Sequence, residues 1–284
     1  MTIAMVPASA VMQGAGAKHR IHWAVSDALT ITKRNLIGYA RVPEALFFST
    51  VQPVMFVLLF RYVFGGALGA FTAAHGLPYV DYLMPGIYVQ TVAFGSVGTS
   101  IGLAEDLQKG LIERFRALPI ARSAVLAGRT TADLARNVVV VAITTGIGYA
   151  VGFRIHTGVP EFLGGVGLVL LFAYALSWGF AIVGLSAPNS ETAQVMSFPL
   201  LFPLTFASSA LVPVQTMPGW LRGFATHQPV SVVINAARAL MAGPKAAVLA
   251  HSSTSTLTWT ALAWCLGALV VLAPVAVWRY RTKI

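Results

Sequence analysis

Six stretches of about 20 residues in this chain are poor in charge, and about 20 residues at 1.5 Å each is the length at which an α-helix crosses the hydrocarbon of a bilayer. They run over Leu46–Gly66, Leu83–Ala104, Leu134–Phe153, Phe162–Leu185, Gln194–Val212 and Thr256–Trp278. In a bilayer each backbone N–H and C=O must be satisfied within its own segment or in a closed barrel. Continuous apolar runs lack the alternation of a barrel strand, so they predict an all-α, polytopic membrane protein with six transmembrane helices. Composition agrees: 57% of the 284 residues are hydrophobic and 10% are charged, too apolar for a surface that faces water.

The basic residues orient these spans. Lys18, Arg20, Lys33, Arg34 and Arg41 precede the first; Lys109, Arg114, Arg116, Arg122 and Arg129 fall between the second and third, with Arg136 at the very start of the third; Arg279, Arg281 and Lys283 follow the sixth. The opposite side holds Arg154, Arg222, Arg238 and Lys245. The excess of Lys and Arg marks the cytoplasmic side, which places both termini in the cytoplasm. An even number of spans agrees with that. The formal net charge of +10 then serves topology and contact with membrane lipids, and no nucleic-acid partner is expected. Residues 1–20 read as a disordered cytoplasmic tail: Met1 to Ala17 are uncharged and Lys18 and Arg20 come after them, the reverse of a signal peptide. Cys265 is the sole cysteine, so no intrachain disulfide forms, and its apolar run makes it a packing residue.

Three segments outside the spans carry most of the functional information. In the region 21–45, Val25, Leu29, Leu36 and Ala40 form a helical apolar stripe with Asp27, Lys33, Arg34 and Arg41 elsewhere, which suits an amphipathic helix at the cytoplasmic interface. The loop Glu105–Asp133 contains Leu107, Leu111, Phe115 and Leu118 at steps of four, four and three, with Lys109, Glu113, Arg114 and Arg116 mostly on other faces and Pro119 as a stop. That short helix either docks a soluble partner or lies on the bilayer. On the other side, Pro213 to Ser255 is rich in Pro and Gly, and its apolar pieces, such as Val230–Met241, are too short to cross. Short re-entrant or surface helices are expected there.

The chemistry of other membrane machines is missing. Glu44, Asp81, Glu105, Asp106, Asp133, Glu161 and Glu191 sit at span ends or in loops, which argues against an ion relay of the kind a secondary transporter needs. The sequence has no phosphate-binding G-x-x-x-x-G-K-[ST] loop and no H-E-x-x-H, and its histidines show no metal-ligand spacing. Ser208 and Ser209 read as helix-packing residues, with no histidine placed to activate them. No residue is expected to be catalytic or to bind a metal. Arg61, the sole basic residue well inside a span, either snorkels outward or has a role in the pathway or at a subunit contact. Phe198, Phe202 and Phe206, at i, i+4 and i+8 beside Pro199 and Pro203, either pack the core or line a path for an amphipathic molecule.

The stretch Glu105-Asp-Leu-Gln-Lys-Gly-Leu-Ile-Glu-Arg-Phe-Arg-Ala-Leu-Pro-Ile120, with the preceding Met84-Pro-Gly86, resembles the ABC-2 type transporter permeases. It is most similar to their daunorubicin/doxorubicin-resistance type of drug and lipid exporters. Val212-Pro-Val, Met217-Pro-Gly-Trp220 and His227-Gln-Pro-Val-Ser231 add to the likeness. The resemblance implies an ABC-2 type transmembrane domain over 46–284 in a bacterial inner membrane, exporting hydrophobic or amphipathic compounds, with a polysaccharide or glycolipid exporter, or a membrane enzyme or scaffold, as alternatives. It implies a separate ATPase subunit carrying ATP and Mg, and a second permease, identical or a sister. It makes Leu107, Leu111, Glu113, Arg114, Phe115, Arg116, Leu118 and Pro119 the coupling helix seated on that ATPase, and 220–241 the short helices capping the pathway.

Overall fold

A computed structural model describes residues 17–41, 43–111 and 122–283. Most of the expected tail and Glu113 to Pro119 of the coupling segment lie outside the described residues. Every regular element among the described residues is helical: α1 (Ala17–Arg41), α2 (Pro43–Leu58), α3 (Gly65–Ala74), α4 (Tyr79–Gln108), α5 (Arg122–Val151), α6 (Val159–Ser186), α7 (Ser190–Phe206), α8 (Gly219–His227), α9 (Pro229–Ala242), α10 (Pro244–Leu249) and α11 (Thr254–Lys283).

Four helices are long and apolar enough to cross a bilayer: α4, Ser123–Val151 of α5, α6 and α11. A fifth crossing arises if Ser49–Val63 and α3, bent by 68°, form one broken span. The first apolar run therefore does not continue straight to Gly66. It passes from α2 into a π-helical turn, Leu59–Val63, and then meets the glycine pair Gly65 and Gly66, a usual place for a sharp kink.

Two further expectations are corrected. The fifth run does not stay helical to Val212, because α7 stops at Phe206. Pro199 and Pro203 each remove a backbone donor within the helix, and the carbonyls left open by its end are taken up from outside. Gln228 Nε2 donates to the carbonyls of Leu204 at 2.8 Å and Ala207 at 3.1 Å. The segment Glu105–Asp133, expected to be a loop beyond its short helix, is helical from Arg122 onward, so Arg129 and Asp133 belong to a membrane-length helix. That start is fixed by α1, which lies along α5 close enough for Thr32 Oγ1 to donate to the Gly128 carbonyl at 3.2 Å.

The centre of the bundle is α4, flanked by α2, α5, α6, α7 and α9. Two glycines allow the closest approaches. A Cβ on Gly86 would overlap the Ala210 main chain, and one on Gly184 of α6 would overlap the main chain at Ser100. One apolar cluster joins Ile31 of α1, Leu103 of α4, Leu126 of α5, Leu185 of α6 and Tyr280 of α11, with Leu107 packed against it. The first and last described helices thus join one cluster at the end of the bundle from which the expected coupling segment leaves. At the other end Tyr79, Phe153, Leu211, Val230 and Ala246 share the main core. The outer face of α11 is exposed and apolar, with Val270 and Val271 between Trp259 and Trp278. Those tryptophans lie about 28 Å apart along the helix at 1.5 Å per residue, close to the thickness of a bilayer core, where aromatic residues mark the two interfaces.

Candidate functional site

Beside the middle of α4 lies a cavity of about 430 Å³, walled by α2, α4, α5 and α7. Its apolar lining is built on α7, whose step of four places Phe198, Phe202 and Phe206 on one face. Their rings follow one another at 5.5 and 5.4 Å, and Phe94 of α4 meets Phe202 edge-on at 5.8 Å. Phe202 and Phe206 are nevertheless 45% and 46% exposed, so the wall they form is open on one side. The three phenylalanines singled out in the sequence are therefore brought together around a single cavity. Arg61 is not among its lining residues; it sits exposed on the π-helical turn, 6.0 Å from the Tyr62 ring.

The polar lining is the unusual part. Gln90 of α4 and Asn137 of α5 are each only 2% exposed, yet neither polar atom of the Gln90 side chain has a hydrogen-bond partner, and Asn137 Nδ2 has none. Arg136 donates from Nη2 to the Gly95 carbonyl at 2.5 Å while its Nε is unpaired. Buried polar groups in folded proteins are nearly always paired, because an orphaned one costs about 1–3 kcal/mol. All three residues line the cavity, but their orphaned atoms have no surface open to it, so a guest reaches them only after a side-chain rotation. Sequence reasoning missed Gln90, Arg136 and Asn137; the available signal was simply strongly polar side chains within apolar runs.

A second constellation lies where the coupling segment departs. Asp133 of α5 is fully buried. It accepts from Thr99 Oγ1 at 2.5 Å and from the Tyr39 hydroxyl, and lies 3.9 Å from Arg129 Nε one turn earlier. Arg129 Nη1 is 3.5 Å from Asp106, which also faces Arg34 at 3.9 Å. Gly102 supplies the room, since a Cβ there would overlap the Arg129 guanidinium. Burial first, and then the negative charge of Asp133, push the Tyr39 phenol up to about 12. This hub binds α1, α4 and α5 together a few residues from Leu107 and Leu111, both half-buried. The rest of the expected coupling set, Glu113, Arg114, Phe115, Arg116, Leu118 and Pro119, falls outside the described residues.

The cavity joins an aromatic wall to buried polar side chains, and the ionic hub ties three helices together beside the expected coupling segment. The comparisons bear on both. Residues 27–242 match the family of ABC-2 type transporters. The chain is 34% identical over 262 residues to the daunorubicin resistance ABC transporter permease protein DrrB1 of Streptomyces coeruleorubidus, covering 92% of this chain and 88% of that protein. It is 29% identical to the probable doxorubicin resistance ABC transporter permease protein DrrC of Mycobacterium tuberculosis, covering 87% of each. It is also 25% identical to the putative transport permease ycf38 of Cyanophora paradoxa, over 76% of this chain and 74% of that one.

Proposed function

The chain belongs to the ABC-2 type transporter family, and on that premise we propose that it moves hydrophobic or amphipathic compounds, drugs or lipids, outward across a bacterial inner membrane through the cavity beside α4. It is a multi-pass membrane permease of an ABC exporter and not itself an enzyme; permeases of this type work with an ABC ATPase subunit. ATP and Mg are assigned to that subunit.

The observation that carries the substrate class is the cavity lining: a run of phenylalanines shares it with Gln90 and Asn137, whose amides leave Gln90 Nε2 and Oε1 and Asn137 Nδ2 without a partner. A flat apolar molecule with a few hydrogen-bonding groups satisfies both walls. The names of two relatives, for resistance to daunorubicin and doxorubicin, support the same class. The open side at Phe202 and Phe206 is assigned to a second permease, an identical copy or a sister, which would complete the wall.

Six crossings with both termini cytoplasmic are the topology proposed here, with the broken α2–α3 pair and the proline-bearing α7 as the two irregular spans. Packing of α1 and the end of α11 into one cluster supports the placement of both termini on one side. In this reading Leu107 to Pro119 docks on the ATPase. Its movement passes through Asp106, Arg129 and Asp133 into α1, α4 and α5, shifting the permease pair between inward and outward openings as nucleotide biases the two states.

Copurification of the tagged permease with the ATPase encoded beside it tests the docking. Wild type is expected to retain the ATPase, and a Glu113→Ala/Arg116→Ala/Leu118→Asp variant that still inserts is expected to lose it. Full retention by the variant would remove the coupling assignment.

A further inference from the structure

At the end of the bundle away from the coupling segment lies a second cavity, of about 240 Å³, between the start of α4, the 209–215 segment and the short helices α8, α9 and α10. Its lining includes Arg222, Arg238 and His251 and no carboxylate. Arg238 is 2% exposed, and all its partners are neutral. Nε donates to the Tyr82 carbonyl at 2.9 Å, Nη2 to the Ser209 carbonyl at 2.7 Å and Nη1 to Asn235 Oδ1 at 2.9 Å. The guanidinium also lies 3.6 Å from the centre of the Tyr82 ring. A guanidinium has five N–H groups in a planar fork, so these bonds leave one proton each on Nη1 and Nη2. Charges this deeply buried are ordinarily paired with an opposite charge.

The rest of the wall repeats the pattern. Arg222 of α8 is held by Nη2 alone, to the carbonyls of Gln215 at 2.9 Å and Met217 at 3.2 Å. His251 follows α10 at φ 51°, the one non-glycine residue with a positive φ among those described, a conformation that costs energy and clusters at functional sites. Bracing the carbonyls of Tyr82 and Ser209 needs a donor there, and a neutral amide would serve. It does not call for a buried cation facing a cavity that a second arginine also lines.

We propose that this cavity binds an oxyanion, a phosphate or carboxylate, with Arg238 as the buried anchor and Arg222 and His251 as the outer contacts. Paired donors in a fork match the geometry of such groups. An occupant ties α8 and α10 to α4, so the short helices at this end respond to the anion. The headgroup of a membrane lipid and a small free oxyanion share this chemistry. The site is separate from the cavity beside α4 and does not depend on the proposed cargo.

The test is calorimetric titration of the full-length permease, purified in the uncharged detergent dodecyl maltoside, with dioctanoyl phosphatidic acid, dioctanoylglycerol and inorganic phosphate. Phosphatidic acid is expected to bind one per chain, and Arg222→Gln to weaken it at least about tenfold, the loss of a hydrogen bond to a charged group. Arg222 is exposed, so that variant keeps the fold even if Arg238→Gln does not. Displacement by millimolar inorganic phosphate identifies a site for free oxyanions, and retention of the lipid against phosphate identifies a headgroup site; either carries the proposal. Three results overturn it: no saturable binding of phosphatidic acid or phosphate, equal binding of dioctanoylglycerol, or unchanged binding by an Arg222→Gln/His251→Gln variant.

Discussion

Replacing Asp133 by alanine should release α1 from the bundle. The fully buried carboxylate accepts from Thr99 and Tyr39 and faces Arg129 at 3.9 Å. Each hydrogen bond to a charged group contributes about 1.5–3 kcal/mol, and removing one member of a buried ion pair costs about 3–5 kcal/mol. The two figures describe one carboxylate and overlap, so the docking of α1 should weaken by about 3–5 kcal/mol in all. At about 1.4 kcal/mol per factor of ten, amide hydrogen exchange across 26–41 should quicken by about two to three and a half orders of magnitude. Asp133→Asn keeps the shape and one acceptor and should fall between. Arg34→Gln is the control: its side chain is 40% exposed and meets Asp106 at 3.9 Å, so it should cost less than about 1 kcal/mol. Exchange in α1 that stays within about threefold of wild type in Asp133→Ala would refute the hub as the clasp of α1.

Three further outcomes follow from the same geometry. The folded protein raises the Tyr39 phenol from 10 to about 12 by favouring its neutral form. The stability this contributes is whole below about pH 10 and is lost as pH climbs toward about 12; exchange of α1 followed from pH 8 upward should show that step, and Tyr39→Phe should abolish it. Gln90→Leu relieves an unpaired buried amide and should stabilise the protein by about 1–3 kcal/mol while impairing transport; a variant that melts lower and transports normally would discard Gln90 as a substrate contact. Gly86→Ala drives a methyl group into the Ala210 main chain and should cost at least about 1–3 kcal/mol, read as a lower melting temperature, whereas Gly164→Ala meets open space and should not.

Much of the fold is legible in the sequence because a bilayer imposes one simple length rule. The runs that became α4, α5, α6 and α11 were found from hydropathy alone, and the Pro- and Gly-rich stretch before the last helix did resolve into short helices. What hydropathy does not show is where a helix continues past its apolar part. Arg129 and Asp133 looked like loop charges because a charged turn and a charged helix have similar composition, and only the packing of α1 against Gly128 distinguishes them. The aromatic row at Phe198, Phe202 and Phe206 was visible as a period of four. Its counterparts Gln90, Arg136 and Asn137 were not, since their significance lies in convergence from two helices onto one cavity, and a single chain's periodicity reports only one helix at a time. The early end of α7 depended on Gln228, a distant side chain that caps carbonyls left open where the helix stops.

The most direct test is uptake of a fluorescent aromatic amphiphile into inverted proteoliposomes containing the permease and its partner ATPase. ATP-dependent accumulation is expected with wild type, with strong loss both in Gln90→Leu/Asn137→Leu and in the Glu113→Ala/Arg116→Ala/Leu118→Asp variant when each is inserted at equal density. Accumulation at the wild-type rate in the cavity variant, or no response to ATP with the ATPase present, would contradict an ATP-driven path through the cavity beside α4.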